Sequence, residues 1–156
     1  TQHHGGNDKA IYAYAREELD YWQSELSRPL ASGCFGENLT TQGVDLSALL
    51  INQRLRIGTA VLEVSVPRQP CSTFAGWLGE RGWLKRWTAR GDCGTYLRII
   101  SPGRIQPGDC ITMDAPPNHD ITMRIAFAAK MGNRTLAQRV IEAGCLPPHQ
   151  NNSLRA

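Results

Sequence analysis

The chain has 156 residues, of which 41% are hydrophobic and 20% charged, and its formal net charge is +3. This size fits one globular domain of ordinary length, and the mean hydropathy of −0.35 argues against a membrane protein. No apolar run approaches the roughly 18–20 residues that a membrane-spanning helix needs.

The first element along the chain is predicted as a helix that begins near Asn7 and ends before Pro29. Asn7 can cap the free amides of a first turn, and Pro29 disfavours helical backbone before it. Apolar residues at helical spacing form one stripe, namely Ile11, Ala15, Leu19, Trp22 and Leu26. Residues 30–43 are then predicted as an ordered loop, and Asp45 as the start of a short helical turn.

The middle of the chain favours short β-strands, and the end favours helices. Alternating apolar residues predict the strands 54–57, 61–66, 95–100 and 110–113. Short strands separated by Pro/Gly turns are typical of a barrel or sandwich. Helices are predicted over 73–86, 123–130 and 134–143, the last capped by Asn133 and ended by Gly144.

Positive charge is concentrated in residues 54–104, which hold nine basic and three acidic side chains. Fourteen of the 17 basic residues of the chain are arginine, which can bind a phosphate or a carboxylate through two hydrogen bonds. Three tryptophans, Trp77, Trp83 and Trp87, alternate with basic residues there and could stack nucleobases or fill a core. The segment therefore indicates either an anionic partner or a solvated basic surface.

The cysteines give no sign of a zinc site or of a disulfide framework. There are five, Cys34, Cys71, Cys93, Cys110 and Cys145, widely spaced and without a CxxC pair. An odd number at wide spacing favours a reducing compartment, and we expect a cytoplasmic protein. Cys110, in a predicted strand, is expected to be a core residue.

Cys71 is the cysteine whose context points most directly to chemistry. It follows Val66-Pro67-Arg68-Gln69-Pro70, where the prolines place the thiol at the exit of a strand. A nearby Arg68 guanidinium would favour thiolate over thiol. Such a thiolate can be a nucleophile, a persulfide carrier or a ligand for a soft metal. The alternative is a small buried hydrophobic residue, the usual state of a free cysteine.

Two other stretches could bind an anion. The glycines of 33–40 could let backbone amides approach it and Asn38 could bind a polar heterocycle, or the stretch is a tight turn in which Asn38 bonds its own backbone. This stretch lacks the Lys-Ser/Thr ending of a P-loop. His3 and His4 with Lys9 could lie beside an anionic ligand, or be an exposed remnant.

Taken together, these stretches resemble the MOSC domain, named after the C-terminal domain of molybdenum-cofactor sulfurases. Five motifs cover most of residues 3–114: HHGGNDKAIYAY (3–14), GCFGENLTT (33–41), RIGTAVLEVSVPRQPC (56–71), GTYLRI (94–99) and PGD (107–109). Within the family the chain is most similar to the bacterial YiiM-like subgroup, which is associated with resistance to hydroxylaminopurine. Members of that subgroup normally carry a further β-rich segment before HHGG, and this chain starts almost at that motif.

The resemblance implies a mainly β fold with peripheral helices. A MOSC-type β-barrel domain would span 1–118, and a small helical C-terminal module 119–156. The barrel would hold the molybdenum cofactor (molybdopterin), with Cys71 as the catalytic residue and the sulfur ligand to molybdenum. The candidate cofactor-binding residues are then Arg68, Asn38, His4, Gly36 and Lys9.

Related family members reduce N-hydroxylated substrates to amines or amidines. The resemblance therefore implies a reductase of small N-hydroxylated compounds such as hydroxylaminopurine, which needs an electron-donor protein and has no membrane partner; assembly as a homodimer stays open. Two other hypotheses remain: a sulfur carrier that uses a Cys71 persulfide, and a non-enzymatic nucleic-acid-binding module. Pyridoxal phosphate is not predicted, because none of the three lysines lies in a recognisable site for it.

Overall fold

A computed structural model describes residues 7–155 of the chain, and its strands form one curled, open sheet. The six strands are β1 (Ile11–Ala15), β2 (Leu39–Thr41), β3 (Arg54–Ile57), β4 (Ala60–Val64), β5 (Thr95–Ser101) and β6 (Ile111–Met113). Their order in the sheet is β2-β1-β5-β4-β3-β6, and every neighbouring pair is antiparallel except β1 with β2. The sheet is thus a half-barrel, since β2 and β6 lie at opposite ends of the order.

Helices contribute more residues than strands, so the prediction of a mainly β fold is wrong in its proportions. The described part of the chain forms six helices, α1 (Arg16–Leu26), α2 (Ser72–Leu78), α3 (Trp83–Arg90), α4 (Met123–Lys130), α5 (Arg134–Ala143) and α6 (Pro148–Ser153). Short 3₁₀ turns occur at Asn7–Lys9 and Leu46–Ala48. None of the helices formed by residues 7–155 has the length and apolarity to cross a membrane.

The helix predicted from Asn7 to the residue before Pro29 is two elements, and the first is a strand. Ile11–Ala15 pairs with β5 on one side and with β2 on the other, and Tyr12 to Ala15 are all buried. A strand buried on both faces shows no apolar–polar alternation, so its residues matched a helical stripe by chance. Only the second half, α1, is helical.

Several other predicted elements are close to the observed ones. The predicted helices 123–130 and 134–143 match α4 and α5, and the side chain of Asn133 accepts a hydrogen bond from the Leu136 amide, as a cap does. The helix predicted over 73–86 is instead the pair α2 and α3. Gly79 and Gly82 both have positive φ, and this ends α2 and offsets the start of α3.

Two local expectations about residue environments are wrong. The segment 30–43, predicted as loop throughout, contains the short strand β2, which forms because it pairs with β1. Cys110 is exposed rather than a core residue, since it precedes β6 at the edge of the sheet.

The C-terminal helices join the core that covers the sheet. Phe127 of α4 is fully buried, and its ring lies edge-on to the ring of Trp87 in α3 at 5.5 Å between centroids. The side-chain amide of Asn52 donates to the carbonyl of Cys145 at 3.0 Å. The helices 119–156 are therefore present but continuous with the rest of the core, and a domain boundary at 118/119 stays a prediction.

Candidate functional site

Most of the predicted site residues line one cavity of about 880 Å³. Its volume lies within the range of roughly 300–1,000 Å³ that is usual for pockets binding small molecules and cofactors. Five of the predicted residues line it, namely Lys9, Gly36, Asn38, Arg68 and Cys71. The sixth, His4, lies outside the described residues. Segments far apart in sequence thus meet at one surface depression.

Cys71 lies at the exit of a strand, as its sequence context predicts. After β4 the chain continues the ladder with β5, since Ser65 donates to the Tyr96 carbonyl at 3.0 Å and Tyr96 donates to that of Val66 at 3.2 Å. The proline-containing segment 67–70 then carries the chain into the cavity wall. Cys71 follows in an extended conformation immediately before α2, and it is half-buried. Its thiol is therefore at the cavity rather than within the core.

The other cysteines do not line this cavity. Cys93 is buried, and burial raises the pKa of its thiol to about 12. Burial also raises the pKa of the Cys34 and Cys145 thiols. These three thiols stay protonated at neutral pH, which disfavours their reaction as nucleophiles.

Arg68 brings a buried positive charge to the cavity wall. Only 7% of the residue is exposed, and its guanidinium donates to the carbonyl of Phe35. The guanidinium carbon lies 4.2 Å from the ring centroid of Phe74 and 4.6 Å from that of Tyr12. Within residues 7–155 no carboxylate forms an ion pair with Arg68. The charge is therefore stabilised by rings and one carbonyl, and an anion in the cavity would complete its partners.

Asn38 is fixed by strand β1 rather than by its own backbone, so the self-bonding alternative is wrong. The side-chain oxygen of Asn38 accepts a hydrogen bond from the backbone N–H of Tyr12, and the backbone N–H of Asn38 donates to the Tyr12 carbonyl, both at 2.8 Å. The neighbouring carboxylate of Glu37 is buried and accepts from the Phe35 amide at 3.0 Å. These contacts hold the 33–38 loop against the sheet and present Gly36 and Asn38 to the cavity.

Two tyrosines complete the inner wall in their protonated form. Burial raises the pKa of Tyr12 well above its ordinary value and also raises that of Tyr96, while the positive charge of Arg68 opposes both shifts. The Tyr12 hydroxyl donates to the carbonyl of Cys93 at 2.6 Å. The ammonium of Lys9 lies 5.4 Å from the ring centroid of Tyr96.

Sequence reasoning missed the residues that the C-terminal helices add to the cavity. These are Lys130 at the end of α4, and His149, Gln150 and Ser153 of α6. It also missed the rim position of Trp77, which is 59% exposed although its helical spacing suggested a core residue. No local pattern marks these residues, because they reach the cavity only through tertiary packing.

The basic segment 54–104 does not form a continuous basic face. Five of its nine basic residues form ion pairs, namely Arg54, Arg56, Arg86, Arg90 and Arg98. Their partners include acids of the N-terminal segment, such as Glu18 with Arg90 at 2.9 Å. Phosphates of a nucleic acid would have to compete with these carboxylates, which weakens the nucleic-acid hypothesis.

Comparison with known proteins identifies the family. A sequence model described as the MOSC domain matches residues 1–112. The chain belongs to the MOSC domain family. Among solved structures, YiiM from Geobacillus stearothermophilus has 28% identity and a TM-score of 0.85, and the match covers 97% of this chain and 79% of that one. The predicted likeness to the YiiM-like subgroup is thereby confirmed.

Two curated relatives extend the comparison. "Uncharacterized protein YflK" of Bacillus subtilis (strain 168) is 40% identical over 146 residues, which are 92% of this chain and 66% of YflK. A protein named "Reductase" of Gibberella moniliformis (strain M3125 / FGSC 7600) is 31% identical over 115 residues, 70% of this chain and 20% of that protein. The chain thus spans less than two thirds of the length of either relative.

Proposed function

We propose that this MOSC protein binds the molybdenum cofactor and reduces small N-hydroxylated compounds, with Cys71 as the sulfur ligand to molybdenum. The observation that carries the proposal is that Cys71, Arg68, Asn38, Gly36 and Lys9 line one cavity. Family membership and the reductase name of one relative support it.

The residues present fit such a cofactor in three respects. A half-buried thiol at the cavity wall is a soft donor of the kind that soft metals prefer. The buried Arg68 guanidinium suits a phosphate or a polar ring, and the volume of about 880 Å³ suits a ligand of this size. Residues 7–155 hold no group of three or more His, Cys, Asp or Glu side chains able to bind a metal ion. Cys71 is therefore the one side chain that we propose as a ligand to the metal of the cofactor.

In this proposal the protein positions the ligand and supplies electrostatics. The cofactor supplies the two-electron chemistry when bound. Asn38 and Gly36 fix one wall because the 33–38 loop is hydrogen-bonded to β1. Arg68 stabilises negative charge, and Tyr12 and Tyr96 stay protonated and so add no negative charge to the inner wall. Electrons would come from a separate donor protein, and we propose that the protein works in the cytoplasm.

The test compares Cys71→Ser with Cys110→Ser in protein produced in cells that make the cofactor. Cys110 is exposed and lies outside the cavity, so its variant controls for the loss of a thiol. Molybdenum content by mass spectrometry and reduction of hydroxylaminopurine with an artificial electron donor are measured. We expect both to fall at least tenfold for Cys71→Ser and to be unchanged for Cys110→Ser. Equal molybdenum content and turnover in the two variants would remove Cys71 from the proposed role.

The wild type and Cys71→Ser also distinguish a sulfur carrier from a reductase. Incubation with a cysteine desulfurase followed by intact-mass measurement would then show one added sulfur on the wild type and none on Cys71→Ser. A clean thiol together with bound molybdenum supports the reductase. A sulfur adduct without molybdenum supports the carrier instead.

A further inference from the structure

Trp77 of α2 is exposed to solvent, unlike the other three tryptophans of the chain. Its exposed fraction is 59%, whereas Trp22, Trp83 and Trp87 are no more than 3% exposed. Trp77 lines the same cavity as Cys71. A ligand in this cavity would therefore cover an apolar indole surface that water contacts in the unliganded protein, and removing such a surface from water stabilises the complex.

The indole of Trp77 is positioned by the 33–38 loop. A Cβ added to Gly36 would lie 2.8 Å from Cζ3 and 3.1 Å from Cη2 of Trp77, so the six-membered ring of the indole lies against Gly36. The loop itself is hydrogen-bonded to β1 through Asn38 and Tyr12. Within residues 7–155 no other aromatic ring packs against Trp77. The ring is thus placed before a ligand binds, and much of its surface stays accessible.

The same wall of the cavity also offers hydrogen bonds. Thr73 lies one helical turn before Trp77, so both side chains are on one face of α2, and both line the cavity. Thr73 is exposed, and its hydroxyl can both donate and accept. The guanidinium carbon of Arg68 lies 6.0 Å from the ring centroid of Trp77 and brings further N–H donors. An apolar ring face beside hydrogen-bonding groups matches a flat nitrogen heterocycle, which has an apolar face and polar ring atoms.

We propose that Trp77 is a specificity-determining residue of this cavity, on which the flat ring of a heteroaromatic substrate stacks. The inference rests on the proposed function for the reaction and narrows its substrate class. Compounds whose N-hydroxylated nitrogen is attached to a planar heterocycle, such as hydroxylaminopurine, are preferred to aliphatic amidoximes, such as acetamidoxime, which have no ring face for the indole to cover. Stacking of a base on an aromatic side chain strengthens binding by about 5- to 150-fold.

The first arm of the test measures binding to the cofactor-free full chain and needs no turnover. The wild type, Trp77→Ala, Trp77→Phe and Met113→Ala are titrated with hydroxylaminopurine in a calorimeter. We expect Trp77→Ala to lose at least about fivefold in affinity, and Trp77→Phe to lose less because it keeps a flat ring. Met113→Ala is the matched control, since it removes a large exposed apolar side chain outside the cavity and should bind as the wild type does. Equal affinities of the wild type and Trp77→Ala, or no binding by either, would overturn the stacking role.

The second arm measures specificity in cofactor-loaded protein with an artificial electron donor. The quantity compared is the ratio of kcat/KM for hydroxylaminopurine to kcat/KM for acetamidoxime. Trp77→Ala should lower this ratio at least about fivefold, mainly through the KM of the heterocycle, and Met113→Ala should leave it unchanged. Equal losses on both substrates would indicate a structural role, and a lower molybdenum content of Trp77→Ala would assign the indole to the cofactor; either result overturns the specificity role.

The two arms separate a failure of this inference from a failure of the proposed function. Binding of hydroxylaminopurine that depends on Trp77, without any turnover by the loaded wild type, contradicts the reductase and supports the stacking role. Turnover of hydroxylaminopurine with equal affinities of the wild type and Trp77→Ala contradicts the stacking role and supports the reductase.

Discussion

Gly36 stands where the cavity rim leaves no room for a side chain, so Gly36→Ala is a direct probe of the site. Its φ is +84°, in the region that favours glycine, and an added Cβ would lie 2.8 Å from Cζ3 of Trp77. Because Trp77 is 59% exposed, its indole can move away rather than the backbone. The substitution should therefore combine backbone strain with a displaced tryptophan at the rim.

Gly43 separates these two effects. It has nearly the same φ, +80°, and an added Cβ would meet nothing within 4 Å. Left-handed backbone costs an alanine about 1–2 kcal/mol, so each substitution should lower the melting temperature by roughly 2–8 °C in a domain of this size. Gly36→Ala should cost about 0.5–1 kcal/mol more, because the indole loses its packing.

The assay measures the free energy of unfolding by chemical denaturation. Gly36→Ala and Gly43→Ala are each made in the wild-type sequence and in a Trp77→Ala background. The extra cost of Gly36→Ala should vanish without Trp77, while the cost of Gly43→Ala should not change. Ligand affinity should fall for Gly36→Ala and not for Gly43→Ala, which lies outside the cavity. An excess cost that persists in the Trp77→Ala background would refute the assigned contact.

Three further predictions concern charge and packing. Burial, together with the nearby negative charge of Glu18, raises the pKa of Asp92 from 3.8 to about 6. The folded state therefore binds this proton more tightly than the unfolded state does, and the free energy of unfolding should fall as the pH rises from about 4 to 6. Asp92→Asn should remove this dependence and add up to about 3 kcal/mol above pH 7, measured by urea unfolding; an unchanged pH profile would contradict the assignment. Phe127→Ala should cost about 3–5 kcal/mol and keep one cooperative transition, whereas two transitions would indicate a separate C-terminal module. Arg68→Met should abolish binding of inorganic phosphate in a calorimetric titration, because it leaves the cavity wall without its buried charge. Arg81 is exposed and outside the cavity, so Arg81→Met should bind as the wild type does.

Many residues that line the cavity belong to no sequence motif, because tertiary packing brings them there. Lys130 and α6 reach it because α4 and α5 pack on the core through residues such as Phe127. Packing of this kind depends on the whole chain, so no window of sequence contains the information. The loop motif predicts Asn38 as a site residue, but it does not predict the hydrogen bond to Tyr12, since that bond joins positions 26 residues apart.

Local sequence chemistry is enough to predict several elements of this fold. Capping and termination define α5 between Asn133 and Gly144, alternation defines β3, and the prolines around Arg68 place Cys71 after a strand. Tertiary structure alone decided that Ile11–Ala15 is a strand, because its conformation is fixed by pairing with β2 and β5 rather than by its own pattern. It also decided which charges are paired. Five of the eight arginines of the basic segment form ion pairs with carboxylates, whereas the guanidinium of Arg68 lies against the rings of Tyr12 and Phe74 at the cavity.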